Sequence, residues 1–305
     1  MIMAIITTGN HPKHLWPGVF AFFGQTYDQH PEEWRDLVEV KSSEQNYEEM
    51  VQNNGFGLAP VKEQGASVAY DSDSQGGTAR ATHITYALGY IVTREEIEDN
   101  LYERVAMDRA QALKISMVET KENVVANIYN RAFNSNYTGG ADALQLISTA
   151  HTSSSGNQSN RLATDADLSE ASLEDMVIQI MGAQNDRGLK IKLMPQSLHV
   201  PRQLVFEATR ILKSVQQNDT ANNAINALKV MNALPQGVKV NHYFTDPDAW
   251  FVKTNVTKGL TFFKRRALEF TKDNDFGTEN ALAKATERYS LQWGDWRGVY
   301  GTQGA

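Results

Sequence analysis

Cysteine is absent from all 305 residues. That absence removes disulfide scaffolds, zinc ribbons, cysteine nucleophiles and iron–sulfur ligation together. Positive charge is in short supply too. Lys and Arg number 29 against 36 Asp and Glu, a formal net charge of -7, with a pI near 5.5. A dedicated nucleic-acid binder displays a basic face, so this balance argues against one. No run of about eighteen apolar residues occurs, and the sequence predicts no membrane-spanning helix. The opening Met1-Ile2-Met3-Ala4-Ile5-Ile6 is apolar, but it is short and lacks the positive flank of a signal peptide. Apolar residues make up 41% of the chain and mean hydropathy is -0.45, which fits a folded chain with a modest core. The composition predicts a soluble, intracellular protein of one or two domains.

What is present is unevenly distributed. Residues 1–54 carry three basic residues (Lys13, Arg35, Lys41) against eight acidic ones, with clustered aromatics Trp16, Phe20, Phe22, Phe23, Tyr27 and Trp34. Pro12, Pro17 and Pro31 break any long helix there. Such an arm packs either on its own body or on a neighbouring subunit. Residues 55–93 read as a polar hairpin with strands Val61–Tyr70 and Thr78–Val92, and Asp71-Ser72-Asp73-Ser74-Gln75-Gly76-Gly77 as its tip. A ribbon of this kind is marginal in isolation and should lie on something else.

The clearest element spans residues 94–133. Thr93 and Glu96 have capping-box spacing, and Ile97, Leu101, Val105, Leu113, Met117, Val124, Ile128 and Phe133 keep a helical rhythm. With no Gly or Pro to interrupt it, this helix would run about 60 Å. Residues 134–167 are rich in Gly, Ser and Asn and read as loops around a short strand at Leu144–Ser148. A second helix is expected from Ser169 to Arg187, stopped at Gly188, then a strand Ile191–Val200 and a third helix opened by Pro201. Residues 214–233 are amide-rich, either helical or an ordered loop. The rest is mainly strand: Val238–Phe244, Trp250–Thr254, Leu260–Thr271 and Ala283–Trp293. The predicted class is α+β.

The search for a reaction centre finds none, so no catalytic residue, cofactor or metal is assigned. Gly55-Phe56-Gly57 lacks the third glycine and the context of a dinucleotide fingerprint. Pro12 between His11 and His14 spoils a helical metal face. His83, His151, His199 and His242 are scattered, and a structural role is the better reading of each. Asp71, Asp73 and Gly76 match the start of a calcium loop, but Thr82 stands where a bidentate Glu belongs. Asp246/Asp248 and Asp273/Asp275 read as turn formers. Alternation puts Lys264 and Arg266 on one strand face and Arg265 on the other, which suits intersubunit salt bridges better than a groove for DNA.

The order of these elements resembles the major capsid proteins of tailed bacteriophages with the Hong Kong 97 fold. Local sequence agrees. Thr93-Arg94-Glu95-Glu96-Ile97-Glu98-Asp99-Asn100-Leu101-Tyr102 looks like the start of the spine helix in Mu-like major head subunits. Ala141-Asp142-Ala143-Leu144 through Thr149-Ala150-His151 resembles the segment that follows that helix. Met194-Pro195 through Val200-Pro201 and Glu287-Arg288-Tyr289-Ser290 through Asp295-Trp296-Arg297-Gly298 are similar too. The resemblance implies an N-terminal arm (1–54), an E-loop hairpin (55–93), a peripheral domain (94–159 with 257–292) and an axial domain (160–256 with 293–305). It implies a non-enzymatic subunit that assembles with itself, as hexamers and pentamers, into an icosahedral shell enclosing double-stranded DNA. Scaffolding and portal proteins, a decoration protein and non-specific contacts with packaged DNA are the implied partners, with no membrane among them. The implied location is the virion, after assembly in the bacterial host cytoplasm. Because no long charged helical prefix precedes the arm, the scaffold is expected to be a separate chain.

Within that resemblance, Trp16, Phe20, Phe22, Phe23, Asp71, Asp73, Gly76, Gly77, Arg80, Lys264, Arg265 and Arg266 are the expected subunit-interface residues. Deleting residues 64–82 is expected to keep the fold and abolish shells. Some relatives crosslink Lys to Asn between subunits. Lys62 lies in the ribbon, but no motif identifies an Asn partner or a catalytic Glu, so that activity is not carried over. The alternatives are an encapsulin-type shell that stores enzyme cargo and an enzyme of unrelated fold.

Overall fold

The computed structural model describes residues 5–6, 32–99, 103–216 and 225–305; Trp16, Phe20, Phe22, Phe23 and Tyr27 lie outside them. In chain order the described elements begin with strand β1 (Ile5–Ile6), a single helical turn α1 (Trp34–Leu37), and strands β2 (Glu39–Ser42), β3 (Tyr47–Asn53), β4 (Gln75–Thr82) and β5 (Ile84–Val92). Helices α2 (Arg94–Asp99) and α3 (Glu103–Asn130) follow, then a small hairpin, β6 (His151–Ser153) and β7 (Gly156–Gln158). Next come helix α4 (Glu170–Met181), strand β8 (Pro195–Pro201), and helices α5 (Val205–Lys213) and α6 (Ala227–Val230). The last described elements are β9 (Val238–Asn241), β10 (Trp250–Thr254), β11 (Leu260–Asn274), β12 (Ala281–Trp293) and β13 (Val299–Thr302). The class is α+β, as expected.

Two sheets organise the body. One runs in the order β1-β5-β12-β11-β2, with antiparallel pairs inside and parallel pairs at both ends. The other runs β13-β10-β8-β9. Strand β10 is the wall between two hydrophobic cores. Side chains alternate across a strand, so Phe251 faces a core with Trp34, Tyr129, Phe262 and Tyr289. Trp250 and Val252 face a second core with Leu173, Met176, Leu198 and Ile211. A strand buried on both faces reads as a near-continuous apolar run, and Trp-Phe-Val fits that pattern.

The long helix is shorter than predicted. Thr93 Oγ1 accepts the Glu96 N–H at 3.4 Å, the first half of the capping box. The Glu96 carboxylate does not reach back to complete it; it pairs with Arg109 in α3. Thirteen residues of straight helix cover about 20 Å, too far for such a pair, so α2 and α3 are not collinear. Helix α3, at 28 residues, spans about 42 Å, and its Leu113 and Met117 pack on Ala285 of β12.

Other boundaries moved for local reasons. Helix α4 starts where expected, with Ser169 and Ser172 exchanging side-chain-to-backbone hydrogen bonds, but it ends at Gly182. Gly188, at φ +79°, serves instead in a turn closed by the Gln184–Lys190 bridge. Leu146 and Ile147 are buried, yet residues 144–148 form no strand; burial alone produced the apolar signal there. The predicted strand Val61–Tyr70 is also absent. Strand β4 pairs instead with β3, a segment the sequence assigned to the arm.

Candidate assembly interface

The β3–β4 ribbon carries residues 54–74 as an irregular loop. Five large apolar side chains, Phe56, Leu58, Val61, Val68 and Tyr70, are exposed along it, with Val61 and Tyr70 each 95% accessible. Burying one such side chain is worth about 1.5–3 kcal/mol. Among the described residues nothing covers these five side chains. A second uncovered group, Phe206, Val215, Ile225, Val230 and Met231, lies on and between α5 and α6. Phe276 stands fully exposed at the β11–β12 turn.

The expected tip residues turn out to form the neck of that loop. Asp71 Oδ2 accepts the Gly57 N–H at 2.7 Å and Asp73 Oδ1 accepts the Gly55 N–H at 2.9 Å, so the two carboxylates clamp the two chain directions together. The Gly57 N–H is the chief reason the Asp71 carboxyl lies below its ordinary range. Arg187, in the turn after α4, approaches Asp71 at 3.5 Å and donates to the Ser72 carbonyl. Gln52 reaches Asp186 in the same turn. The neck therefore docks on its own body.

Gly76 and Gly77 sit inside β4. A Cβ at Gly77 would run into the Ala141 carbonyl, so its lack of a side chain serves packing within the chain. Arg80 lies over the Tyr47 ring at 3.6 Å, with Glu49 nearby at 3.8 Å, while its side chain stays half exposed.

The basic run departs from simple alternation. Lys264 pairs with Tyr289 and Arg266 with Arg288, neighbours on β12, so β11 holds one extra residue at Arg265. A bulge of this kind moves the following residue to the other face. Lys264 and Arg266 therefore lie on opposite faces, not the same one. All three are exposed, and Arg266 donates to Thr286 Oγ1 at 3.2 Å.

The four described histidines lie in hydrogen-bonded networks within the chain. His151 stacks on Trp296 with centroids 4.3 Å apart, and bonds Asp142 at 2.5 Å and Asn160 at 3.1 Å. His199 bonds Ser197 at 2.8 Å, and burial pushes it down to about 3. His242 meets Glu33 at 2.5 Å, and His83 lies between Ser43 and Ser290. Among the described residues no group of three or more His, Asp or Glu is placed to hold a metal. Asp246 and Asp275 accept backbone N–H groups two residues on, the turn chemistry expected of them. No described helix is long and apolar enough to cross a membrane.

Three solved structures share this architecture, and with it the Hong Kong 97 fold. The capsid of the native GTA particle, computed with C5 symmetry, matches 99% of this chain and 100% of its own at TM-score 0.63 and 11% identity. Mycobacterium phage Patience matches 90% of this chain and 83% of its own at TM-score 0.58 and 11% identity. The capsid of Myoviridae phage XM1 matches 99% of each chain at TM-score 0.53 and 11% identity. At these identities the likeness shows the fold alone. No curated protein matches the chain. A family model described as phage capsid protein matches residues 77–302, most of the chain, and the chain belongs to that family. It is a major capsid protein, a structural component of the virion shell.

The loop residues Phe56, Leu58, Val61, Val68 and Tyr70 were not singled out in the sequence. Apolar residues without helical or strand period, set in a polar stretch, were the available signal.

Proposed function

We propose that this capsid protein assembles with copies of itself, as hexamers and pentamers in the manner of Mu-like head subunits, into an icosahedral shell around double-stranded DNA. The uncovered apolar loop at 54–74 carries the reading, because within the described chain nothing covers it. Residues 1–54 act as the arm, 55–93 as the loop reaching a neighbour, 94–159 with 257–292 as the peripheral domain, and 160–256 with 293–305 as the axial domain. Strand β3, at 47–53, belongs with the loop as its second strand. A subunit of this kind buries apolar surface between chains, which accounts for its modest hydropathy. Closed symmetry then sums many weak contacts into a stable shell.

Assembly takes place in the host cytoplasm with scaffolding and portal proteins and, on the finished shell, a decoration protein. The acidic balance limits tight sticking to the packaged genome. The role requires no catalysis; covalent ladders on a boiled gel would overturn that part.

The test is replacement of Phe56, Leu58, Val61 and Tyr70 by Ser in the full chain, followed by negative-stain microscopy and light scattering with the scaffold present. The expected result is a folded protein that forms no shells. Shells at the wild-type yield would refute the loop assignment. Deleting 64–82 is the wrong test, since it removes β4 with its buried Ala79 and Ala81.

A further inference from the structure

The ribbon joins the body through two chain segments, and both change partners at the same place. Strand β2 ends its pairing with β11 at Ser42, and β3 begins its pairing with β4 at Tyr47. On the return path β4 pairs with β3 up to Thr82, and β5 pairs with β12 from Ile84. Only His83 separates those two pairings. The two crossover points, Ser43 and His83, are bonded to each other at 2.9 Å between Ser43 Oγ and His83 Nε2. The other ring nitrogen, Nδ1, meets Ser290 Oγ of β12 at 3.0 Å. Ser43, His83 and Ser290 are each about 95% buried.

Counting protons fixes the direction of every bond in this chain of groups. Ser43 has one hydroxyl proton, and it goes to Glu48 Oε1 at 2.6 Å, since a carboxylate can only accept. Ser43 Oγ must then accept from His83 Nε2–H. A neutral imidazole protonated at Nε2 has a lone pair on Nδ1, which accepts the Ser290 hydroxyl. The relay runs Ser290, His83, Ser43, Glu48, with each donor matched to an acceptor. It ties both strands of the ribbon's base to one residue of the body. A second tie runs alongside, from Arg288 Nη2 to Asn46 Oδ1 at 2.8 Å.

We propose that Ser43, His83 and Ser290 are the pin of a hinge that holds the ribbon at one angle to the body, and that presentation of the 54–74 loop for assembly depends on it. The first half stands on the geometry alone; the second rests on the shell reading. The pin is made of short polar side chains at the two places where the chain exchanges one strand partner for another. The ribbon also packs on Phe263 and Ala141 and docks through Arg187 and Asp186, so breaking the pin should widen its range of angles without dismantling either sheet.

The charged groups facing His83 are Glu48 from β3, Arg288 from β12 and Arg265 from β11. Burial first, then Arg288, hold the imidazole below the ordinary histidine range. A second ring proton would turn Nδ1 from acceptor to donor and force the Ser290 hydroxyl to swing round.

The cysteine-free sequence makes the test direct. Spin labels at Thr78→Cys on β4 and Lys114→Cys on α3, both exposed in the full chain, report the ribbon angle as a distance distribution. With the native pin, one narrow distribution is expected at neutral pH. Ser43→Ala and Ser290→Ala should each broaden it about twofold, and the double variant should broaden it little further, since both cut one relay. Ser43→Thr, which keeps the hydroxyl, should restore the narrow distribution. If the alanine variants lower thermal stability yet leave the width unchanged, the pin is overturned and the cluster only packs. Shell yield is then measured on the same variants and should fall about tenfold where the distribution broadens. Broadening with undiminished shells would leave the hinge standing and overturn its role in assembly.

Discussion

Trp34 packs against Phe262 with ring centroids 4.5 Å apart and planes inclined by 39°. The contact joins the segment read as an arm to a strand more than two hundred residues later. Around it the single turn α1 is held at several points. Tyr129 OH donates to the Leu37 carbonyl at 2.8 Å, and Lys253 Nζ donates to the Asp36 carbonyl at 3.0 Å. Trp34 therefore anchors the arm where it enters the body. Trp34→Ala should cost about 3–5 kcal/mol. Urea unfolding should show the midpoint falling with an unchanged slope, and a loss below about 1 kcal/mol would show that the anchor is not there.

Glu122 is buried beside α1, with Glu33 and Trp34 presenting backbone N–H groups to it. Burial pushes its carboxyl up to about 7. The native state thus keeps a proton that the unfolded chain has released above about pH 4.3. The stabilisation this provides is complete below that pH and is lost as pH rises through about 7. Its size is at most about 4 kcal/mol. Glu122→Gln should flatten stability between pH 5 and 8 and raise the melting temperature at the alkaline end. An unchanged pH profile in the variant would place the titration elsewhere.

Gly77→Ala tests the seat of the ribbon. The added methyl meets the Ala141 carbonyl, a backbone atom that cannot swing aside. Overpacking of this kind costs about 1–3 kcal/mol. Faster amide exchange across 75–82 should accompany the loss. Gly76→Ala, whose Cβ would lie 3.1 Å from a movable Asn54 side chain, should be milder. Equal effects at the two positions would refute the close approach at Gly77.

Asn160, fully buried, uses Nδ2 toward the carbonyls of Leu146 at 2.8 Å, Trp296 at 3.2 Å and Val299 at 2.8 Å. Its Oδ1 accepts the Ser148 N–H at 2.9 Å. Asn160→Asp is the same size but points an oxygen at three carbonyls, so it should destabilise more than Asn160→Ala. A loss above about 3 kcal/mol is expected from leaving a buried acceptor unpaired. Calorimetry that ranks the alanine variant as the less stable would contradict this network.

Local patterns carried several features directly. The start of α4 after Ser169, its apolar face, the strand at Trp250–Thr254 and the turn carboxylates Asp246 and Asp275 depend on neighbours within a few residues. The ribbon was misread because its true partner strand, Tyr47–Asn53, is polar and lay in a segment judged by its aromatics. Lys264 and Arg266 were assigned to one face because a bulge is invisible to alternation.

What the sequence by itself determined was the α+β class, the order of elements, the absence of cysteine chemistry and, through resemblance, the capsid family. Only the tertiary structure decided that α2 turns away from α3 to pair Glu96 with Arg109, that Gly77 is a packing residue, that the loop neck docks on Arg187, and that His83 joins Ser43 to Ser290. Periodicity and capping are set by residues within a few positions. These contacts join residues up to 207 positions apart, and only the folded chain brings them together.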